Sequence, residues 1–237
     1  MSKYAAFRDN ARLGEDELAS WRASGAVQPA WRLATALLCQ IQDAVARLVL
    51  TGREDLRLPH VPLDGDEEMD LAREFFDYVT HPDLLDLAAL LLGPDLVLWD
   101  AAVVDVPAEG ADLHDWQCAV ADAPLAPPGP TVSLWIAVTD LERASGFLQL
   151  PANGAVRPRD YLLEGGQILL YDPARCTPQG AGPEALSEAG LLIRYMPASS
   201  HYAHAGAKVG FTTRPIWLVR GQSRCPLNDF DIGHTIW

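Results

Sequence analysis

The alternation of apolar and polar positions is clearest over residues 131–154, TVSLWIAVTDLERASGFLQLPANG. Apolar side chains occupy every second position of its first half, and most positions between them are also apolar. This pattern predicts a strand that is buried on both faces. The polar segment 140–146 predicts a connection that ends in glycine. A second strand should begin at Phe147 and end at Pro151.

Before this stretch the apolar positions follow the helical period instead. The apolar stripe is longest in WRLATALLCQIQDAVARLVL, and Thr51 and Gly52 should end that helix. Pro82 suits a first helical turn, and Gly93 suits a C-terminal stop. The pattern predicts helices over residues 14–26, 31–50, 66–78 and 82–92.

After Gly93 the pattern changes to strands joined by polar loops. Further strands are predicted over residues 95–106, 166–172, 190–196 and 215–220. Helices followed by strands indicate an α+β chain with one β core. We expect a single domain over 1–237, made of a mainly helical layer (1–93), a β core (94–222) and a tail (223–237).

Composition and charge exclude several classes of protein. Hydrophobic residues make up 49% of the chain, enough for a sizeable core. The formal net charge is −14, from Asp+Glu 32 against Lys+Arg 18, and such a surface repels nucleic-acid phosphates. No apolar run is long enough to span a membrane, and MSKYAAFRDN lacks an apolar signal core, so we expect a cytoplasmic protein. The cysteines, which include Cys118 and Cys176, show no paired spacing and are expected to be thiols.

The stretch 131–154 resembles the phytanoyl-CoA dioxygenase family, whose pattern there is v-W-I-A-l-d-d … n-G-x-l-x-v-x-P-G-S-H. The chain follows this pattern as far as Pro151 and then has Asn153-Gly154-Ala155 in place of Gly-Ser-His. The resemblance covers about residues 14 to 220 at the level of strand pattern. It implies a double-stranded β-helix, or jelly-roll core, with the N-terminal helical layer packed on one sheet.

The chemistry that this family implies is oxygenation with iron(II) and 2-oxoglutarate. Two histidines and one carboxylate hold such an iron, and the first two ligands normally form an H-x-D pair. His114 and Asp115 stand at the corresponding place without the spacer. Neighbouring residues of a strand point to opposite faces, so both could face one metal only at a bulge. Otherwise Leu113 or Trp116 would occupy one of the two ligand positions.

The family's distal histidine and its arginine, which binds the far carboxylate of 2-oxoglutarate, are replaced on the most direct alignment. Gln179, or Thr177, stands where the histidine is expected, and Ala189 or a neighbour stands where the arginine is expected. A second alignment uses His204 and, ten residues later, Arg214, which have the spacing of an iron histidine and an oxoacid arginine.

Four more residues are candidates for binding a substrate. Trp99, Trp116 and Trp135 could line a barrel mouth for an apolar ligand, or could belong to the core. Arg194 lies on a predicted buried strand, where it needs either an acidic core residue or a ligand carboxylate as its partner.

Three functions are compatible with these residues. The first is a small-molecule tailoring enzyme without cofactor or metal, which performs a cyclisation, isomerisation or elimination with His114, Asp115 and Gln179. The second is an Fe(II)/2-oxoglutarate dioxygenase that uses His114, Asp115, His204 and Arg214. The third is a non-catalytic partner subunit. The expectation leans towards an enzyme that acts on a small molecule, either as a homo-oligomer or paired with a homologue.

Overall fold

The computed structural model describes ten parts of the chain, which contain four helices and ten strands. These parts are residues 11–51, 66–104, 125–126, 130–140, 149–150, 159–161, 163–175, 190–202, 216–228 and 230.

The four helices come first in the chain, as the helical period predicts. Gly25, with a φ of 78°, ends the first helix, because this left-handed conformation favours glycine. His81 precedes the last helix, and its Nδ1 accepts a hydrogen bond from the Asp83 N–H at 3.3 Å. The helices are α1 (Glu15–Ser24), α2 (Thr35–Leu50), α3 (Asp66–Val79) and α4 (Pro82–Leu92).

Six strands form one antiparallel sheet in the order β1-β7-β4-β8-β2-β10, and the other four form two separate pairs, β3–β9 and β5–β6. The ten strands are β1 (Ala26–Val27), β2 (Leu96–Val104), β3 (Leu125–Ala126), β4 (Val132–Ala137), β5 (Gln149–Leu150), β6 (Arg159–Asp160), β7 (Ile168–Tyr171), β8 (Gly190–Pro197), β9 (His201–Tyr202) and β10 (Trp217–Arg220). An α+β fold with an antiparallel sheet is therefore confirmed.

The large sheet buries both of its faces. On one face, here called the helix face, Leu134 of β4 and Ile193 of β8 share a core with α2, α3 and α4. On the opposite face, here called the inner face, alternate residues form a second core. This inner-face core contains Val97, Trp99, Ala102, Trp135, Ala137, Leu169, Tyr171, Leu192 and Met196.

The structure differs from the predicted elements at positions where backbone hydrogen bonds to distant parts of the chain determine the secondary structure. The predicted helix over 31–50 begins only at Thr35, because Leu33 donates to the Gly166 carbonyl and Arg32 bridges Gln167. Strands β3 and β9 lie within predicted loops and pair with each other. None of the helices in the described residues is long and apolar enough to cross a membrane.

Candidate functional site

Of the residues predicted to carry function, Trp99, Trp135 and Arg194 lie among the described residues, and all three are buried on or against the inner face. The others lie outside the described residues: Leu113, His114, Asp115, Trp116, Cys118, Asn153, Gly154, Ala155, Cys176, Thr177, Gln179, Ala189, His204 and Arg214.

A row of four polar side chains crosses the inner face from strand to strand. Asp100 of β2 stands opposite Arg194 of β8, and Arg194 stands opposite Ser133 of β4. Ser133 in turn stands opposite Tyr171 of β7. The exposed fractions of these four residues are 0%, 2%, 0% and 1% in that order. We call these residues the polar row.

A β-bulge in β2 places two consecutive residues beside Arg194. The register passes from Leu98 opposite Tyr195 to Asp100 opposite Arg194, which leaves Trp99 as the extra residue. The Arg194 guanidinium carbon lies 5.6 Å from the centroid of the Trp99 ring, while its Nη1 is 2.7 Å from Asp100 Oδ2. The bulge thus allows one cation to contact an aromatic ring and a carboxylate from neighbouring positions.

Asp100 is the acidic core partner that a buried Arg194 requires. Because both side chains are buried, their charges compensate each other where little water can screen them. Sequence reasoning did not single out Asp100, although the signal was present: it is the only charged residue in the apolar strand LVLWDAAVV.

The far end of the polar row holds two hydroxyl groups, of Ser133 and Tyr171, that sequence reasoning also missed. Burial raises the pKa of the Tyr171 hydroxyl, and the nearby Arg194 and Ser133 only partly oppose that shift. Tyr171 therefore stays protonated and neutral near pH 7. Ser133 and Arg194 lie close enough to the Tyr171 hydroxyl to act on it through side-chain hydrogen bonds.

Trp135 covers the beginning of β8 on the same face. A Cβ added to Gly190 would lie 2.0 Å from the Trp135 Cζ2 atom, so the indole occupies the space that any side chain at residue 190 would need. Trp135 and Trp99 thereby give the inner face two large aromatic surfaces.

The described residues contain no cluster of three or more histidine, cysteine or acidic side chains that could hold a metal ion. The candidate ligands belong instead to two segments, 105–124 and 203–215. Leu125 of β3, which directly follows the first segment in the sequence, pairs with Tyr202 of β9, which directly precedes the second.

Several solved structures that share this fold are non-heme enzymes. The non-heme monooxygenase ThoJ, in its nickel complex, is 20% identical over 92% of this chain and 91% of its own, with a TM-score of 0.57. SnoN, the α-ketoglutarate-dependent epimerase from nogalamycin biosynthesis, is 21% identical over 91% of this chain and 95% of its own, with a TM-score of 0.63. CytC3, in complex with Fe(II) and α-ketoglutarate, is 16% identical over 92% of each chain, with a TM-score of 0.63. No protein-family model and no curated protein match the sequence.

These neighbours correct one prediction and agree with another. The expectation of a protein without a cofactor is wrong, because solved structures of this fold include a complex with Fe(II) and one with Fe³⁺, each together with α-ketoglutarate, which is another name for 2-oxoglutarate. The prediction that leaned towards an enzyme agrees with these neighbours, which are a monooxygenase and an epimerase. The chain therefore shares its fold with the non-heme iron and α-ketoglutarate-dependent enzymes.

Proposed function

We propose that this protein is an Fe(II)/2-oxoglutarate-dependent tailoring enzyme that oxidises a small molecule. Its fold would be a double-stranded β-helix, related at a distance to the phytanoyl-CoA dioxygenases. His114, Asp115 and His204 would hold the iron, and Arg214 would bind the far carboxylate of 2-oxoglutarate.

The observation that carries this proposal is the pairing of Leu125 with Tyr202. The segment 105–124 contains His114 and Asp115, and the segment 203–215 contains His204 and Arg214. The pairing supports one site for the candidate ligands, because β3 directly follows the first segment in the sequence and β9 directly precedes the second.

The donor groups fit the cofactors. Two imidazoles and one carboxylate form the ligand set typical of non-heme iron(II), and an arginine fork binds a carboxylate through two parallel hydrogen bonds. When bound, the iron and the oxoacid supply the oxidation of a substrate by O₂. The protein itself would orient the substrate and keep water away from the reacting atoms.

His114 and Asp115 are consecutive, without the spacer residue of an H-x-D pair. Another consecutive pair in this fold does face one partner. At the bulge in β2, the consecutive residues Trp99 and Asp100 both lie beside Arg194. A second bulge of this kind would turn His114 and Asp115 towards one metal.

The inner face would bind the substrate. Trp99 and Trp135 offer flat apolar surfaces on this face, and Arg194 of the polar row lies against the Trp99 ring. A homo-oligomer or a homologous partner, a single domain over 1–237 and a cytoplasmic location all stay predictions.

The test is the conversion of 2-oxoglutarate to succinate in the presence of Fe(II) and O₂. We expect turnover in the wild type and none in His204→Ala. His201→Ala is the matched control, because His201 is a half-buried histidine of β9 only three residues away that has no role in the proposed site.

A second variant tests the oxoacid site separately. Arg214→Met should raise the KM for 2-oxoglutarate by at least about tenfold, because it removes charge-assisted hydrogen bonds to the carboxylate. Turnover that survives in His204→Ala, or an unchanged KM in Arg214→Met, would contradict the proposed ligands.

A further inference from the structure

A pocket of about 400 Å³ opens at the surface where α4, β10 and the residues before α1 meet. This volume lies within the range of small-molecule sites, which is roughly 300–1,000 Å³. The pocket is separate from the site proposed above, because none of its lining residues belongs to the inner-face core or to the candidate iron ligands. Its own lining therefore decides what it could bind.

Three charged side chains line the pocket, and two of them are arginines. The Arg220 Nη1 donates to the Asp86 Oδ1 at 2.6 Å, so this pair compensates its own charges. Arg12 is exposed and forms no ion pair within the described part of the chain. The lining thus keeps one uncompensated positive charge, in a chain whose formal net charge is −14.

The rest of the lining is apolar. Leu90 of α4 is 48% exposed, one of four large hydrophobic side chains that are exposed in the described part of the chain. Leu13, Ala89 and Pro94 complete the apolar wall beside it. A ligand that covers Leu90 would remove apolar surface from water, which favours binding in proportion to the area covered.

We propose that this pocket binds a small monocarboxylate with an apolar body. The inference goes beyond the proposed function and does not depend on it. The single negative charge matches the uncompensated charge of Arg12, whose guanidinium would donate to the carboxylate. A phosphate monoester fits less well, because its second negative charge would face the Asp86 carboxylate without a counter-charge. The apolar body would lie against Leu90.

The test compares hexanoate with 1-hexanol, which share an alkyl chain and differ in charge, by ligand-observed NMR titration of the iron-free protein. We expect the wild type to bind hexanoate about fivefold more tightly, the effect of one solvent-exposed charge pair. This preference should shrink when NaCl is raised to about 0.5 M, because salt screens the pair. Arg12→Met should remove the preference, and Leu90→Glu should weaken hexanoate binding by at least about fivefold.

Arg22→Met is the matched control, because Arg22 is an exposed arginine of α1 that does not line the pocket, and it should keep the preference. Arg214→Met should keep it too, since the probe is not expected at the oxoacid site. The inference is overturned if the wild type shows no preference, if Arg12→Met retains it, or if Arg214→Met abolishes it. Succinate formation reports on the iron chemistry alone, so failure of either proposal can be recognised separately.

Discussion

At the scale of single residues, the decisive feature is a charged pair inside the sheet. Asp100 and Arg194 are both buried, and they pair across β2 and β8 at 2.7 Å. Neither charge could remain alone at this depth, because the loss of hydration would not be compensated. Each of the two residues therefore needs the other, and the pair as a whole adds little net stability.

Arg194→Met should lower the free energy of unfolding by about 3–5 kcal/mol, because it leaves the Asp100 carboxylate buried without a counter-charge. The double variant Asp100→Leu/Arg194→Met should recover most of this loss. Urea denaturation of the single and double variants measures the coupling between the two sites.

The control for this prediction is a pair on the surface. Arg32 and Glu164 lie 2.6 Å apart, but their side chains are 51% and 70% exposed. Arg32→Met should change stability by less than about 1 kcal/mol, since solvent screens the pair. A double variant at 100 and 194 that is no more stable than Arg194→Met would show that the pair does not act as a unit.

At the scale of elements, single close contacts at the beginning of β8 and of α4 stabilise the sheet and the helical layer. Gly190 begins β8 beneath the Trp135 indole, which β4 places two positions along the ladder. His81 precedes α4 and accepts the Asp83 N–H, so its unprotonated nitrogen caps that helix. The Gly190 contact would be disrupted by one added carbon atom, and the His81 cap would be lost if its nitrogen gained a proton.

Gly190→Ala should destabilise the protein by about 1–3 kcal/mol, because the new methyl group overlaps the Trp135 ring. Thermal unfolding measures the effect, and a second substitution, Trp135→Phe, should recover part of it. Gly165→Ala is the control, since a Cβ there would meet its nearest atom at 3.5 Å, an ordinary contact. Equal losses in the two glycine variants would refute the steric explanation.

Stability should also depend on the protonation of His81. Burial lowers the pKa of the His81 imidazole, and the nearby Asp83 only partly opposes this effect. A lowered pKa in the folded state means that the unfolded chain binds the proton first as pH falls. The stabilisation is then complete above the unfolded pKa of about 6.5 and is lost as pH falls through the folded value.

His81→Asn supplies a helix cap that does not titrate. Urea titrations from pH 8 to 5 should show the wild type losing stability relative to this variant as the pH falls below about 6.5. A difference between the two proteins that stays constant over that range would rule out His81 as the source.

At the scale of the whole molecule, the sequence predicted those elements whose ends and burial depend on residues close by in the chain. Pro82 and Gly93 delimit α4 as expected, and the doubly apolar pattern of β4 marks an interior strand with both faces buried. Strands β3 and β9 contain two residues each, and only their pairing with each other defines them. No local pattern predicts such strands.

The site was predictable to a smaller extent. Arg194 could be recognised as a buried cation that needs a partner, whereas the identity of that partner depends on a bulge that brings Asp100 into register. Tyr171 and Ser133 look like ordinary strand residues in the sequence. Their significance arises from the cross-strand register, which joins positions that are distant along the chain.

The most direct measurement for the account as a whole is the equilibrium binding of Fe(II) under anaerobic conditions with 2-oxoglutarate present. We expect stoichiometric iron in the wild type and in the control His201→Ala. His204→Ala and His114→Ala should lose that iron, because each removes one imidazole of the proposed ligand set. A wild type that binds no iron, or a His204→Ala variant that binds it as the wild type does, would contradict the account.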